Sequence, residues 1–288
     1  MKRHILLTAA ILGVAVSAAA ITISAPQKIE APEGSHHPVL SPDGKTLLFS
    51  TQDHTGLKAM DLTTGGIATI DTDAAAGFAP IFNADGTKVF YRTAMLVDGL
   101  LCHDVRSYDI AKDAKPVKLQ SYSRKTPSNL NTVSANDNYA FADYRDILVC
   151  HNGVTTKITP LSDAHSYLWA SLSPDGTHLL FCEPFEGVFV ANSDGTQPQR
   201  IASKGDFPAW LSNNMVAYVV THDDGYVVLD SKLRVVNIVS GQTTDVTNAN
   251  ILVGEAAAAA GKIVYSDLQG NMYLIHVSER QPYAHHEL

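Results

Sequence analysis

Four residues recur along this chain. Ser41-Pro42-Asp43-Gly44 returns as Ser173-Pro174-Asp175-Gly176 and, with two changes, as Asn83-Ala84-Asp85-Gly86. Each copy follows a short apolar stretch and precedes a β-rich run: Leu47–Phe49, Val89–Tyr91 and Leu179–Phe181. Asp-Gly between two such runs is a hairpin signal, with glycine where the backbone needs positive φ and proline at an early turn position. Weaker copies stand at Ser134–Asp137, at Leu211–Asn214 and ahead of Ile263–Tyr265. The starts fall near 41, 83, 134, 173, 211 and 258, at spacings of 42, 51, 39, 38 and 47 residues. Within the first repeat a third strand, Leu57–Leu62, a turn at 63–66 and a fourth strand, Ile67–Ile70, follow the hairpin. Four short antiparallel strands every ~40–50 residues describe a propeller blade. Six repeats predict an all-β, six-bladed propeller of four-stranded antiparallel blades.

The last repeat ends one strand short, since Met272–Val277 is followed by a polar tail at 279–288. The missing strand is expected at the other end of the chain. Gln27–Ala31 matches Thr156–Thr159, an outermost strand in the same relation to the next repeat. An N-terminal strand that completes the sixth blade closes the ring and removes its open edges.

Ahead of that strand, Met1-Lys2-Arg3-His4 and the uncharged run Ile5–Ala20 read as a secretory signal peptide. The cut is expected after Ala18, Ala19 or Ala20, giving a leader at 1–20 and one propeller domain at 21–278. The mature protein is then expected in the periplasm or otherwise exported. No other window is long and apolar enough to span a membrane. Loss of Lys2 and Arg3 takes the formal charge from −8 to −10. That sign disfavours nucleic acid and anionic lipid as partners. Of the three cysteines, at least one is unpaired. Cys150 and Cys182 stand in strand-like stretches of neighbouring repeats, so a bridge and two small buried hydrophobes are both open readings.

The run Pro38–Gly44, and its copies at Pro80–Gly86 and Leu172–Gly176, resemble the WD40-like repeat of TolB-type β-propellers. The resemblance covers roughly residues 27–277. It implies the propeller fold and an envelope setting, with other envelope proteins as partners. TolB itself carries an additional N-terminal domain, for which no counterpart is expected between the leader and the first repeat. Relatives of the repeat also form the propeller halves of some peptidases, and some related propeller lyases acting on pectin fragments hold a metal near the channel. No Gly-x-Ser-x-Gly, HExxH or phosphate-loop motif occurs in the mature chain.

In a propeller the first-to-second-strand turns lie on one face. The blade-to-blade connections and second-to-third-strand loops lie on the other, around the channel mouth. By that rule His36, His37 and His165 fall in blade connections, and His54 and His222 in second-to-third-strand loops. Histidine with carboxylate is the donor set of Zn, Mn or Fe sites, so His36, His37, His165 and His222 are candidate ligands of a divalent metal. Adjacent strand residues point to opposite faces, which separates His36 from His37. No cofactor is otherwise expected. Phe78, Tyr167, Trp169 and Phe207 fall near the start of inner strands, either lining the mouth or packing in the core. The insertion Ala94–Cys102 is apolar, with Leu96 and Leu100 foremost, and marks a partner surface or a plug over the channel. The residues point to a non-enzymatic binding or protein-interaction module whose channel-mouth face takes an envelope protein or small ligand. The alternative is a propeller lyase or hydrolase on carbohydrate or peptide, using the rim histidines with or without a metal.

Overall fold

The computed structural model describes residues 20–110, 114–127, 129–134, 138–247 and 252–280. Six antiparallel sheets follow one another along the chain. Blade one holds His36–Leu40, Thr46–Ser50, Leu57–Asp61 and Ile67–Asp71. Blade two holds Ile81–Phe82, Lys88–Val97, Leu100–Asp109 and Val117–Ser123. Blade four runs from Leu168–Leu172 to Gln199–Ala202, and blade five from Asp206–Trp210 to Thr243–Asp245. The protein is an all-β six-bladed propeller.

The repeated motif works as the sequence predicts. Gly44, Gly86 and Gly176 sit at φ +65°, +74° and +72°. The Ser41 hydroxyl donates to Asp43 Oδ1 (2.6 Å) and accepts from the Thr46 N–H (2.9 Å), tying the turn to its outgoing strand. Ser173, Asp175 and His178 repeat this bonding. In blade two, Asn83 Oδ1 takes over the serine's role toward the Lys88 N–H at 2.8 Å. Hydrogen bonding to serine holds the Asp43 and Asp175 carboxyls below the usual carboxylate range.

Blade three departs from the four-strand plan. Among the described residues it has three strands, Tyr139–Asp143, Asp146–His151 and Val154–Ile158, and a short helix, Asn131–Ser134, stands ahead of them. Most of the weak motif copy at Ser134–Asp137 lies outside the described residues. The apolar clusters between blades reflect the same irregularity. They join blades one and two, three and four, four and five, five and six, and six and one. Among the described residues no such cluster joins blades two and three.

The ring closes through the N-terminal segment, as expected, and further than expected. Gln27 and Lys28 pair with Leu274 and Tyr273 on the third strand of blade six. Ala20–Ile23 then extends the pairing, opposite Val277–Arg280. The expected polar tail thus begins as strand, and Ile21 and Ile23 pack on the core between blades five and six. Residues 1–19 of the expected leader and 281–288 of the tail lie outside the described residues. Among those described, no helix is long and apolar enough to cross a membrane.

Candidate functional site

The mouth of the channel is shaped by one recurring backbone device. In blades one, four, five and six the inner strand opens with a single residue pair and is then bulged. His36 faces Ser50, and pairing resumes at Val39–Leu48. Leu168–Cys182 and Asp206–Val219 are followed by the same skip. The residue after each first pair is left-handed: His37 at φ +58°, Trp169 at +50° and Phe207 at +51°. Ala79, at +48°, occupies the corresponding place after Phe78 in blade two, and Gly254 lies in the register shift of blade six. A non-glycine residue there costs about 1–2 kcal/mol. Such strain persists where the surroundings over-determine it, and it is often found at functional sites.

Two clusters gather at these bulges. On one side, the Trp169 and Phe207 rings meet at 5.4 Å between centroids. On the other, His37 donates from Nδ1 to Glu255 of blade six (2.9 Å) and from Nε2 to the Gln52 carbonyl (3.0 Å). Both partners are acceptors, and an imidazole can donate from both nitrogens only as the cation. The Glu255 carboxylate also accepts the His37 backbone N–H at 2.8 Å. Burial works against charge on His37, but these hydrogen bonds and the Glu255 charge outweigh it and raise its pKa above the ordinary 6.5. Burial likewise opposes charge on Glu255, and His37 reverses that, holding it below 4.5. His54 stacks on His37 at 3.7 Å. Burial first, and then the His37 charge, push His54 down. His54 also packs edge-on against Phe78, and the Arg92 guanidinium lies 5.4 Å from the centre of the same ring.

The remaining predicted residues are dispersed. His165 Nδ1 meets the Ser162 hydroxyl (2.8 Å), and its Nε2 meets Glu186 Oε1 at 3.3 Å. His222 stands 3.9 Å from Asp230 on a hairpin of blade five. Among the described residues no three His, Cys, Asp or Glu side chains are grouped as a metal ion requires. The four histidines proposed as ligands therefore do not form one site. Tyr167 needs correction. Its ring is buried between blades three and four against Phe181, and its hydroxyl accepts the Leu161 N–H and donates to the Ser162 carbonyl. It is a core residue and not part of the rim. Cys102, Cys150 and Cys182 are all free and buried, and burial pushes the Cys182 thiol up to about 12.

The apolar insertion is a hairpin, not a loop or a plug. Strands Lys88–Val97 and Leu100–Asp109 pair through Val97–Leu100, and Asp98 and Gly99 turn at φ +52° and +75°. Its tip is exposed. Each of the next four blades also lifts a large apolar side chain from its second-to-third-strand connection. Tyr144 is 71% exposed, Phe185 92%, Tyr226 95% and Leu268 44%, beside Leu96 at 68% on the insertion. These tips are built turns. The Glu183 carboxylate accepts the N–H groups of Phe185 (2.7 Å) and Glu186 (2.6 Å). Asp224 does the same for Tyr226 and Val227 at 2.9 Å each. Among the described residues, fourteen of the nineteen exposed large apolar side chains lie on this face by their place in the topology.

With the fold and mouth in place, comparison with known proteins gives structural likeness alone. No family model and no curated protein sequence matches. Among solved structures, a putative TolB from Agrobacterium tumefaciens aligns with TM-score 0.54 at 17% identity, over 92% of this chain and 99% of that one. The Myceliophteria thermophila Cps50 (Swd1) propeller domain aligns at 0.52 and 12% identity, over 90% of this chain and all of that one (100%). Virginiamycin B lyase from Staphylococcus aureus, in complex with quinupristin, aligns at 0.52 and 9% identity, over 89% and 99%. At these identities the likeness establishes the propeller fold and leaves activity to the site.

Glu255, Arg92, Tyr144, Phe185, Tyr226 and Leu268 were not singled out from sequence. The available signal for the last four was an aromatic or leucine at the tip of a turn, where polar residues are usual.

Proposed function

We propose that this chain is a non-enzymatic binding module of the bacterial envelope that holds a protein partner against its channel-mouth face. One observation carries the reading. The exposed apolar side chains are concentrated on that face, on ordered turns of five successive blades. Soluble monomers rarely expose a large contiguous apolar surface, and a polar-rimmed apolar patch is the usual mark of a protein interface. The mouth chemistry agrees. His37 is engaged at both ring nitrogens, so it holds structure at the bulge and has no nitrogen free to accept a proton from a substrate. The leader-like N terminus supports an exported setting.

The test is a double variant, Leu96→Asp with Tyr226→Asp. Both side chains are largely exposed, so the fold and its unfolding midpoint are expected to survive. The complex isolated with the mature wild-type protein from its native host is expected to lose its partner at least tenfold. An undiminished complex would show that the apolar tips do not carry the interaction.

A further inference from the structure

The seam between blades two and three carries an unpaired cation. Arg92 lies mid-strand in blade two, opposite Val105. Among the described residues its guanidinium has no ion pair and no hydrogen bond, and its Nε is buried without an acceptor. Burial alone acts on it, pulling its pKa down. The contrast with Arg106 on the neighbouring strand is sharp: that guanidinium is ringed by Asp71, Asp73 and Asp104 at 2.7–2.9 Å.

Two side chains flank Arg92. Phe78 supplies a ring face under the guanidinium. Strand alternation puts His103, paired with Ala94, on the same sheet face as Arg92, as its diagonal neighbour. The Thr93–Asp104 hydrogen bond marks the opposite face of the sheet. Among the described residues Arg92 thus has a ring face beside it and no acceptor. In a protein of net charge −8, a half-buried arginine without an anion is an exception that calls for one.

We propose that this seam is a binding site for a carboxylate-bearing ligand, with Arg92 as the principal contact and Phe78 as the platform for the ligand's apolar part. A guanidinium stacked on a ring keeps its N–H groups in one plane, which matches the two oxygens of a carboxylate. Phe78 also belongs to the protein-binding face, but the ligand site is tested without Leu96 or Tyr226, so either proposal can fail alone.

Benzoate is the probe. Uniformly 15N-labelled mature protein is titrated with sodium benzoate against sodium chloride at constant ionic strength, and the arginine side-chain Nε–H signals are followed by NMR. One signal, absent from Arg92→Lys and Arg92→Gln, is expected to shift saturably in the millimolar range. Affinity is expected to fall at least tenfold in Arg92→Gln. The free protein gives a second readout: Arg92→Met is expected to raise the unfolding midpoint in chloride buffer, because it removes a half-buried charge that has no ion-pair partner among the described residues. Uniform, unsaturable shifts of all arginines, or an equal effect of sulfate at the same ionic strength, would overturn the carboxylate assignment. A lowered midpoint in Arg92→Met would overturn the claim that Arg92 is unpaired.

Discussion

Replacing Arg106 by methionine removes the centre of the largest buried charge network in the described residues. The guanidinium bonds Asp71 (2.7 Å), Asp104 (2.9 Å) and Asp73 (2.9 Å), and Nη2 also donates to the Tyr122 hydroxyl at 3.1 Å. Asp104 has no exposed side-chain surface and Asp71 has 7%. Without Arg106, Asp104 keeps the Thr93 N–H and hydroxyl, and Asp71 keeps the Tyr91 hydroxyl. These hydrogen bonds solvate the oxygens, and the half-exposed Lys118, 3.7 Å from Asp104, is the one countercharge left among the described residues. Breaking a buried pair from one side costs about 3–5 kcal/mol. In a domain of this size that lowers the unfolding midpoint by roughly 6–20 °C, at 2–4 °C per kcal/mol. Lys157→Met, which breaks the surface pair with Asp146, is expected to leave the midpoint almost unchanged, because solvent screens an exposed pair.

The pH dependence follows from the same groups. Burial raises the Asp71 carboxyl, but hydrogen bonds from Tyr91 and the Asp73 backbone, with the Arg106 charge, hold it below the usual carboxylate range. Its stabilisation is therefore present above 3.8, the ordinary value, and is lost as pH falls through the folded value. In Arg106→Met the Asp71 carboxylate loses that charge and takes up a proton more readily, so the deficit against wild type should shrink on acidification. Differential scanning calorimetry from pH 4 to 8 reads both effects. A deficit no larger than that of Lys157→Met, or one that grows on acidification, would refute the reasoning.

Three further outcomes follow. Removing the His37–Glu255 contact by His37→Phe should cost most between 4.5 and 6.5, the ordinary values of the two groups. The raised histidine loses its contribution as pH rises through its folded value, and the depressed glutamate loses its own as pH falls through its folded value, so chemical unfolding across pH should show a maximum in the difference. Deleting the mature N terminus through Lys28 opens blade six, exposes the edge of Met272–Arg280 and should lower the midpoint by more than any single surface change, by circular dichroism. Thiol titration with a disulfide reagent should find three thiols in denaturant and almost none in the native protein at neutral pH, because all three cysteines are buried.

The parts of the fold written in local chemistry were legible in advance. The Ser-Pro-Asp-Gly turn is a self-contained set of hydrogen bonds, so its copies located the blades, and Gln27–Lys28 announced the ring closure by matching an outer strand. Ala20–Ile23 was not legible as strand because its small and apolar residues also suit the end of a leader. The departure of blade three, which has three strands among the described residues, was hidden by a degenerate motif copy. Tyr167 carries a hydroxyl that suits a rim, and only tertiary packing shows that the hydroxyl ties down the Leu161–Ser162 backbone. Glu255 opens an alanine run that reads as thin filling, and its partner lies 218 residues away across the closed ring. Arg92 is the extreme case, since the lack of a partner is a property of the whole fold and of no local pattern.

The most direct test of the account is site-specific photo-crosslinking in the native host. A photoreactive residue is placed at Leu96, Phe185 or Tyr226 on the mouth face, and at Thr63 or Gln197 on the opposite face. The account predicts one discrete adduct of common mass from all three mouth positions and none from the two controls. Adducts of equal yield from both faces, or none from the mouth, would contradict it.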